Sequence, residues 1–516
     1  MARMMKRNID LLLRVGGVDS GNVKLSTRNF NYFRNFVTIK KVPAVLIGHS
    51  IFFLTACNNS NIKGTDDNDY LGGTSKSDIL LGFAGDDTFQ AGSGNDTFDG
   101  GADIDTVSYA DAGSNVIINL SETLSQATVG DYTDTLINIE NVIGSNYNDL
   151  IKDSEADNIL TGGPGKDTFE ITAGFNTITD LHTGDVVFVY SGATLNALVE
   201  EEFIASSETV NTGTFKLLAG DGGAHINMRS SSSGEYTLIG GSGTDLLEGG
   251  PLDDILTGGE GSDTFVITSG SDYITDLSTG DVLKVSSNSI ATAFNIDNFV
   301  ANHSTENFGT ANLVAEKGGA IIDLSLSNAG NYIIIGNSGN DILTGGPGND
   351  TLTGDGGSIE PSTERFLPSN TGSSNDTFYV MAGTDTISDL STGDAFIISS
   401  GATLNATNIS DFIATSLTSN SGTANLFAGN DGATITMTNS TSGSYTITGG
   451  SGADSLTGGS GNDIFTGADG SDTLTGGNGD DSFNVEAGTD TISDLSTGDA
   501  FIISSGATLN ATNISD

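Results

Sequence analysis

Residues 449–484 read GGSGADSLT, GGSGNDIFT, GADGSDTLT and GGNGDDSFN, four nine-residue units on the pattern G-G-x-G-x-D-x-U-x, where U is a large apolar residue. No other feature restricts the fold as much. The glycines permit tight or left-handed backbone that a Cβ forbids. The last three residues of each unit alternate polar, apolar, polar, a very short strand with one side chain pointing inward. Nine residues cannot bury that side chain alone, but stacked copies can, because each strand pairs with the one a coil away and the apolar residues form an internal ladder. Two units make one coil, so every second unit stacks and its aspartates come together. Stacked carboxylates repel unless a cation lies between them, and carboxylates with free turn carbonyls form an all-oxygen site that suits calcium.

These units resemble the calcium-binding nonapeptide of the RTX (repeats-in-toxin, hemolysin-type) proteins. The resemblance implies a parallel β-roll that folds on binding calcium outside the cell, in a protein typically exported by type I secretion. The expected fold is all-β, with short parallel β-roll (β-solenoid) blocks alternating with duplicated β-rich modules.

The unit recurs in four earlier blocks. Residues 64–108 carry Asp69, Asp78, Asp87, Asp96 and Asp105 at the sixth position, and residues 144–170 carry Asp149, Asn158 and Asp167. Asn158 keeps a carbonyl oxygen but no charge. Residues 240–266 carry Asp245, Asp254 and Asp263. Residues 336–379 carry Asp341, Asp350 and Asp376, with an off-pattern loop over 354–370 that leaves the pairing of Asp341 with Asp376 open. The block at 449–484 carries Asp454, Asp463, Asp472 and Asp481. These aspartates are the expected metal ligands, foremost the pairs Asp69 with Asp87, Asp78 with Asp96, Asp87 with Asp105, Asp245 with Asp263, Asp454 with Asp472, and Asp463 with Asp481. Because a site needs units i and i+2, the blocks offer about eight calcium ions a place.

Between the blocks lie other β-rich segments. Residues 109–143 break the phase with strand-like VIINL and TLINIENVI, an excursion expected to rejoin the solenoid. Three segments of equal length, 171–239, 267–335 and 380–448, share D-L-x-T-G-D at one offset (Asp180 to Asp185, Asp276 to Asp281, Asp389 to Asp394) and a tyrosine near their ends, Tyr236, Tyr332 and Tyr445. A fourth copy occupies 485–516, where residues 487–516 repeat 382–411 without a change. The chain thus ends inside a module, as a fragment or a cut reading frame would. D-L-x-T-G-D reads as a turn closing a hairpin, with a second calcium motif as the alternative. A short helix near NISDFIATS is a further expectation.

Residues 1–57 form a basic leader containing Lys40-Lys41, the apolar run VPAVLIGHSIFFLTA and Cys57. The run has the size of a signal-peptide core and is short for a membrane span. Leu54-Thr55-Ala56-Cys57 resembles the lipobox of bacterial lipoproteins, a family in which the cysteine is diacylated, which implies membrane attachment through a lipid on Cys57.

With 18 Lys plus Arg against 66 Asp plus Glu, the net charge is −48, which argues against nucleic acid and anionic lipid as partners. Without cations such a chain should be expanded by self-repulsion. The four histidines are scattered, and neither H-E-x-x-H, nor G-x-S-x-G, nor a phosphate loop occurs. Each histidine reads as a surface or turn residue. The chain is therefore expected to be non-enzymatic, with no catalytic residue. It is read as a secreted or surface-bound bacterial scaffold or adhesin whose partner is calcium, together with an unidentified cell-surface or matrix component. The alternative is the repeat-bearing part of a secreted RTX enzyme or toxin whose catalytic domain lies outside this chain. A carbohydrate-binding surface on the modules ranks lower, because they hold few aromatics for sugar stacking.

Overall fold

The computed structural model describes residues 50–52, 61–121, 125–355, 357–360, 365–368 and 374–515. Cys57 and the rest of the leader lie outside them, apart from Ser50–Phe52, which pairs in parallel with Asp69–Gly72. Every regular element among the described residues is a strand. No helix there is long and apolar enough to cross a membrane. The chain divides into two compact units, Met1–Ala112 with Leu124–Val142, and Gly113–Thr123 with Ile143–Asp516.

In the first unit, alternate strands build two parallel ladders. Asn61–Lys63 pairs with Ile79–Ala84, which pairs with Thr97–Ala102, and that strand pairs with Tyr132–Ile137. Asp69–Gly72 pairs with Thr88–Gln90, which pairs with Thr106–Ser108. The register sets Ile62, Leu80, Phe98 and Leu136 in one inward row and Leu71, Phe89 and Val107 in the other, all buried. Phe89 and Phe98 meet edge to face with centroids 5.8 Å apart. Within the phase-breaking segment, Ser125–Val129 folds back antiparallel on Tyr132–Ile137, and Tyr132–Ile137 then rejoins the ladder.

The second unit repeats this arrangement over a much longer chain. Val116–Asn119, Leu150–Lys152, Thr168–Ile171 and Val186–Val189 pair successively in parallel. On the other side, Ile159–Thr161, Phe175–Ile178, Thr194–Val199, Thr214–Ala219, Tyr236–Ile239 and Ile255–Thr257 do the same. In this unit the duplicated segments and the nonapeptide blocks share the same ladders, so the alternation is one of coil type within a β-solenoid. The buried tyrosines do structural work in it: Tyr236, Tyr332 and Tyr445 donate their hydroxyls to the carbonyls of Ser233, Ala329 and Ser442.

The helix expected near NISDFIATS is not formed. Thr403–Ile409 and Asp411–Ile413 are strands, and Asn408, at φ 59° inside the first, falls where its pairing with Thr423–Ala428 shifts register between Ala406 and Ile409. Asp411–Ile413 buries Phe412 between two outward neighbours and pairs with Thr434–Thr436, so period-two burial overrides local propensity. The off-pattern loop contains an antiparallel pair, Gly357–Glu360 with Arg365–Pro368, added without disturbing the parallel pairing of Ile342–Thr344 with Thr377–Val380.

Adjacent residues of one strand therefore face opposite environments. Phe465 is fully buried and stacks on Phe483 at 5.1 Å, whereas Ile464 is exposed. Phe465→Ala should cost about 3–5 kcal/mol, and Ile464→Thr should change stability by no more than about 0.5 kcal/mol, both read from denaturant midpoints.

Candidate metal centre

The Gly-rich turns run into strands one coil apart, and parallel pairing stacks the sixth residue of each unit on that of the unit two further on. The main-chain N–H of Asp69 donates to Asp87 Oδ1 at 2.7 Å, and that of Asp87 donates to Asp105 Oδ1 at 2.9 Å. Asp78 is joined in the same way to Asp96, Asp149 to Asp167, Asp245 to Asp263, Asp454 to Asp472 and Asp463 to Asp481, at 2.7–2.9 Å. Asp341 reaches Asp376 across the inserted loop at 2.8 Å, which answers the pairing left open by the sequence. Asp254 and Asp350 stand in the same ladders, taking the N–H groups of Tyr236 and Tyr332 on Oδ1. All the aspartates expected as ligands are buried.

The second carboxylate oxygen decides the chemistry. In several turns it accepts an N–H of its own unit, as Asp245 Oδ2 does from Gly241 and Asp463 Oδ2 from Gly459. In Asp87, Asp96, Asp105, Asp167, Asp341 and Asp472 the buried Oδ2 has no hydrogen-bond partner. A Cβ built on Gly82 would fall on Asp87 Oδ2 and on the carbonyl oxygen of Gly100, and one on Gly458 would fall on Asp463 Oδ2 and the carbonyl of Gly476. Glycine at the first position thus keeps open a cradle of carboxylate and main-chain oxygens. Among the described residues no three His, Cys, Asp or Glu side chains converge on one point, so a cation here would draw many of its ligands from the main chain. Hard oxygen donors of this kind fit calcium and offer nothing to a soft metal.

Burial, with like charges as a further cause, pushes several of these carboxyls upward. Asp96, Asp105, Asp167, Asp254 and Asp341 rise to about 7, and Asp87, Asp263, Asp463 and Asp472 to about 6. The neighbour 18 residues away adds to the rise at Asp87, Asp167, Asp263 and Asp472.

The ladder extends past the residues expected from the sequence. Asp96 donates to Asp134 Oδ1, 38 residues on, because the antiparallel hairpin intervenes, and Asp105 donates to Glu140 Oε2. Each later block runs one coil into the segment after it: Asp167 donates to Asp185, Asp263 to Asp281, Asp376 to Asp394 and Asp481 to Asp499. On the opposite edge Asp254 donates to Asp272, Asp350 to Asp385 and Asp472 to Asp490. Continuing the eighteen-residue spacing beyond the glycine pattern finds Asp185, Asp281, Asp394, Asp499, Asp272 and Asp490. Asp385 is hidden by the insertion.

These partners also revise the reading of D-L-x-T-G-D. It is a turn, but its flanking strands Phe175–Ile178 and Val186–Val189 pair with different neighbours in different ladders, so it closes no hairpin. Its first aspartate clamps glycine amides one coil back: Asp180 accepts from Gly162 and Gly163, and Asp276 from Gly258 and Gly259. Its last aspartate continues the ladder. His182 serves that turn, holding Asp185 Oδ2 with Nδ1 at 2.6 Å, where Ser278 and Ser391 hydroxyls hold Asp281 and Asp394 in the sister segments. His225 Nδ1 lies 3.1 Å from Glu202 Oε1.

The family model for the RTX calcium-binding nonapeptide repeat (4 copies) matches residues 72–107, 143–178, 239–274, 327–358, 441–474 and 457–492. No curated protein matches the chain.

Raised carboxyl pKa values set a pH dependence for the metal-free protein. The folded chain holds protons on Asp96, Asp105 and Asp167 up to about 7, whereas the ordinary value is 3.8, so folding without metal is favoured in acid and loses that support as pH rises through 6 to 7. In chelator the far-ultraviolet β signal should be stronger at pH 5 than at pH 8. Saturating calcium should remove most of the difference.

Proposed function

We propose that this chain of RTX calcium-binding nonapeptide repeats is an extracellular or surface-attached bacterial scaffold or adhesin, non-enzymatic, whose coils fold as calcium binds. The observation that carries the reading is the ladder of buried aspartates, most of them accepting on Oδ1 the main-chain N–H of the residue stacked one coil earlier, often another aspartate 18 residues before, with several Oδ2 atoms left without a partner. Calcium supplies the positive charge that lets stacked carboxylates stay ionised in a buried turn. The protein supplies the rest. Paired strands fix the spacing of the carboxylates, and first-position glycines leave the cradle open. The apolar ladder keeps water from the inward face.

Coupling then follows from charge. At −48 the chain without cations is strongly self-repelling, and binding that requires the stacked turns adds its free energy to folding. A chain expanded in low-calcium cytosol and stiff in calcium-rich surroundings suits export followed by assembly outside. The nonapeptide blocks account for about eight ions, and the aspartates one coil beyond them, such as Asp185 and Asp281, add to the ladder. A lipid on Cys57 would tether the protein to a membrane. Mass spectrometry of the mature N-terminus tests that attachment, and an unmodified cysteine would refute it.

Circular dichroism during a calcium titration tests the central reading. The β signal should rise cooperatively by millimolar calcium and be lost in chelator, and an unchanged spectrum would sink the proposal. Asp472→Ala should shift the midpoint to higher calcium at least several-fold, while Glu208→Ala, on an exposed turn, should leave it in place.

A further inference from the structure

One turn of the second unit departs from the others in a consistent way. The unit 153–161, DSEADNILT, has aspartate in place of glycine at its first position and asparagine at its sixth, and the unit stacked on it has Asn176. The main-chain stitch is kept, since Asn158 N–H donates to Asn176 Oδ1 at 3.1 Å. Ser154 N–H donates to Asn158 Oδ1 as Thr65 N–H does to Asp69 Oδ2. The geometry of the turn is therefore that of its neighbours, and only its chemistry differs.

Asp153 is fully buried, and both of its carboxylate oxygens are engaged. Oδ2 accepts from the N–H groups of Thr172 at 2.8 Å and Ala173 at 3.1 Å, and from Asn176 Nδ2 at 3.1 Å, while Oδ1 accepts the Thr172 hydroxyl at 2.6 Å. Asn176 Nδ2 also donates to the Ala173 carbonyl at 2.6 Å. The amide nitrogen thus sits between a carboxylate and a turn carbonyl with both hydrogens used. It draws the two oxygens together as a cation would, without a charge. In several other turns the same region holds a glycine cradle and a carboxylate oxygen without a partner, as at Gly82 and Asp87. An ion placed among these residues would have to displace four hydrogen bonds to Asp153 and would meet amide hydrogens rather than lone pairs.

We propose that the turn pair 153–158 and 171–176 closes without calcium, with Asp153 and Asn176 together standing where the other turns take an ion. The inference rests on the calcium reading above, since a metal-free turn has meaning only among calcium turns. The same coils carry the Asp149–Asp167–Asp185 ladder on their other edge, so this part of the solenoid has one edge that depends on calcium and one that does not. The metal-free edge gives the coils at 144–189 main-chain and side-chain bonds that survive calcium depletion.

Equilibrium dialysis of the full chain against calcium, with circular dichroism as the control for folding, tests this. Asp153→Asn should leave the number of bound ions unchanged, whereas Asp263→Asn should lower it. Asn176→Asp, which sets a second carboxylate against Asp153, should raise the number by one ion in the folded protein. The inference is overturned if Asp153→Asn removes an ion as Asp263→Asn does, or if a folded Asn176→Asp protein gains none. Should Asn176→Asp not fold, Asp153→Asn decides the matter alone. A wild-type chain that binds no calcium would refute the calcium reading itself, an outcome distinct from either of these.

Discussion

Like charges stacked in a buried turn are the interaction on which the rest of the molecule depends. Within the nonapeptide blocks a parallel coil brings a sixth-position aspartate onto the main chain of the one a coil earlier, and neither carboxylate can move away without breaking the strand pairing that stacks the apolar ladder. The pair must be neutralised by protons, by a cation, or by substitution of one partner. The repeats are of the calcium-binding type, which takes the second route, and at Asn158 and Asn176 amides stand in place of both sixth-position carboxylates. The raised carboxyl pKa values record what the first route would require.

The duplicated segments follow from the same constraint. Each begins with a coil whose aspartates still lie 18 residues beyond those of the preceding block, so the end of a block is not the end of the ladder. Beyond that coil the segments replace glycine turns with longer ones held by side chains. Asn211, Asn307 and Asn420 donate to main-chain carbonyls 24 residues on, and the buried tyrosines close the turns that follow. Charge repulsion is thereby confined to short stretches, separated by coils that hold themselves together by ordinary hydrogen bonds.

Much of this is legible in the sequence. A nine-residue phase with glycine, aspartate and one apolar residue allows few arrangements, so the strands, the inward ladder of Leu456, Phe465, Leu474 and Phe483, and the pairing of aspartates two units apart all follow from it. The segments between blocks were harder. Their strands show the same inward alternation but lack glycine turns, and a local pattern does not say which distant strand a given strand will pair with. For that reason D-L-x-T-G-D read as the corner of a hairpin and NISDFIATS as a helix. Both readings judged a stretch by its neighbours in sequence, whereas parallel pairing joins it to residues a full coil away.

The sequence by itself determined the repeat, the expected class of ion and the residues that crowd together, because spacing and composition carry those directly. Only the tertiary structure decided that Asp185, Asp281, Asp394 and Asp499 belong to the ladder, and that Asp341 meets Asp376 across an insertion. It likewise decided that Asp153 and Asn176 satisfy each other. These are contacts between residues a coil or more apart, and their register is set by which strands pair, a property of the stacked solenoid and not of any one unit.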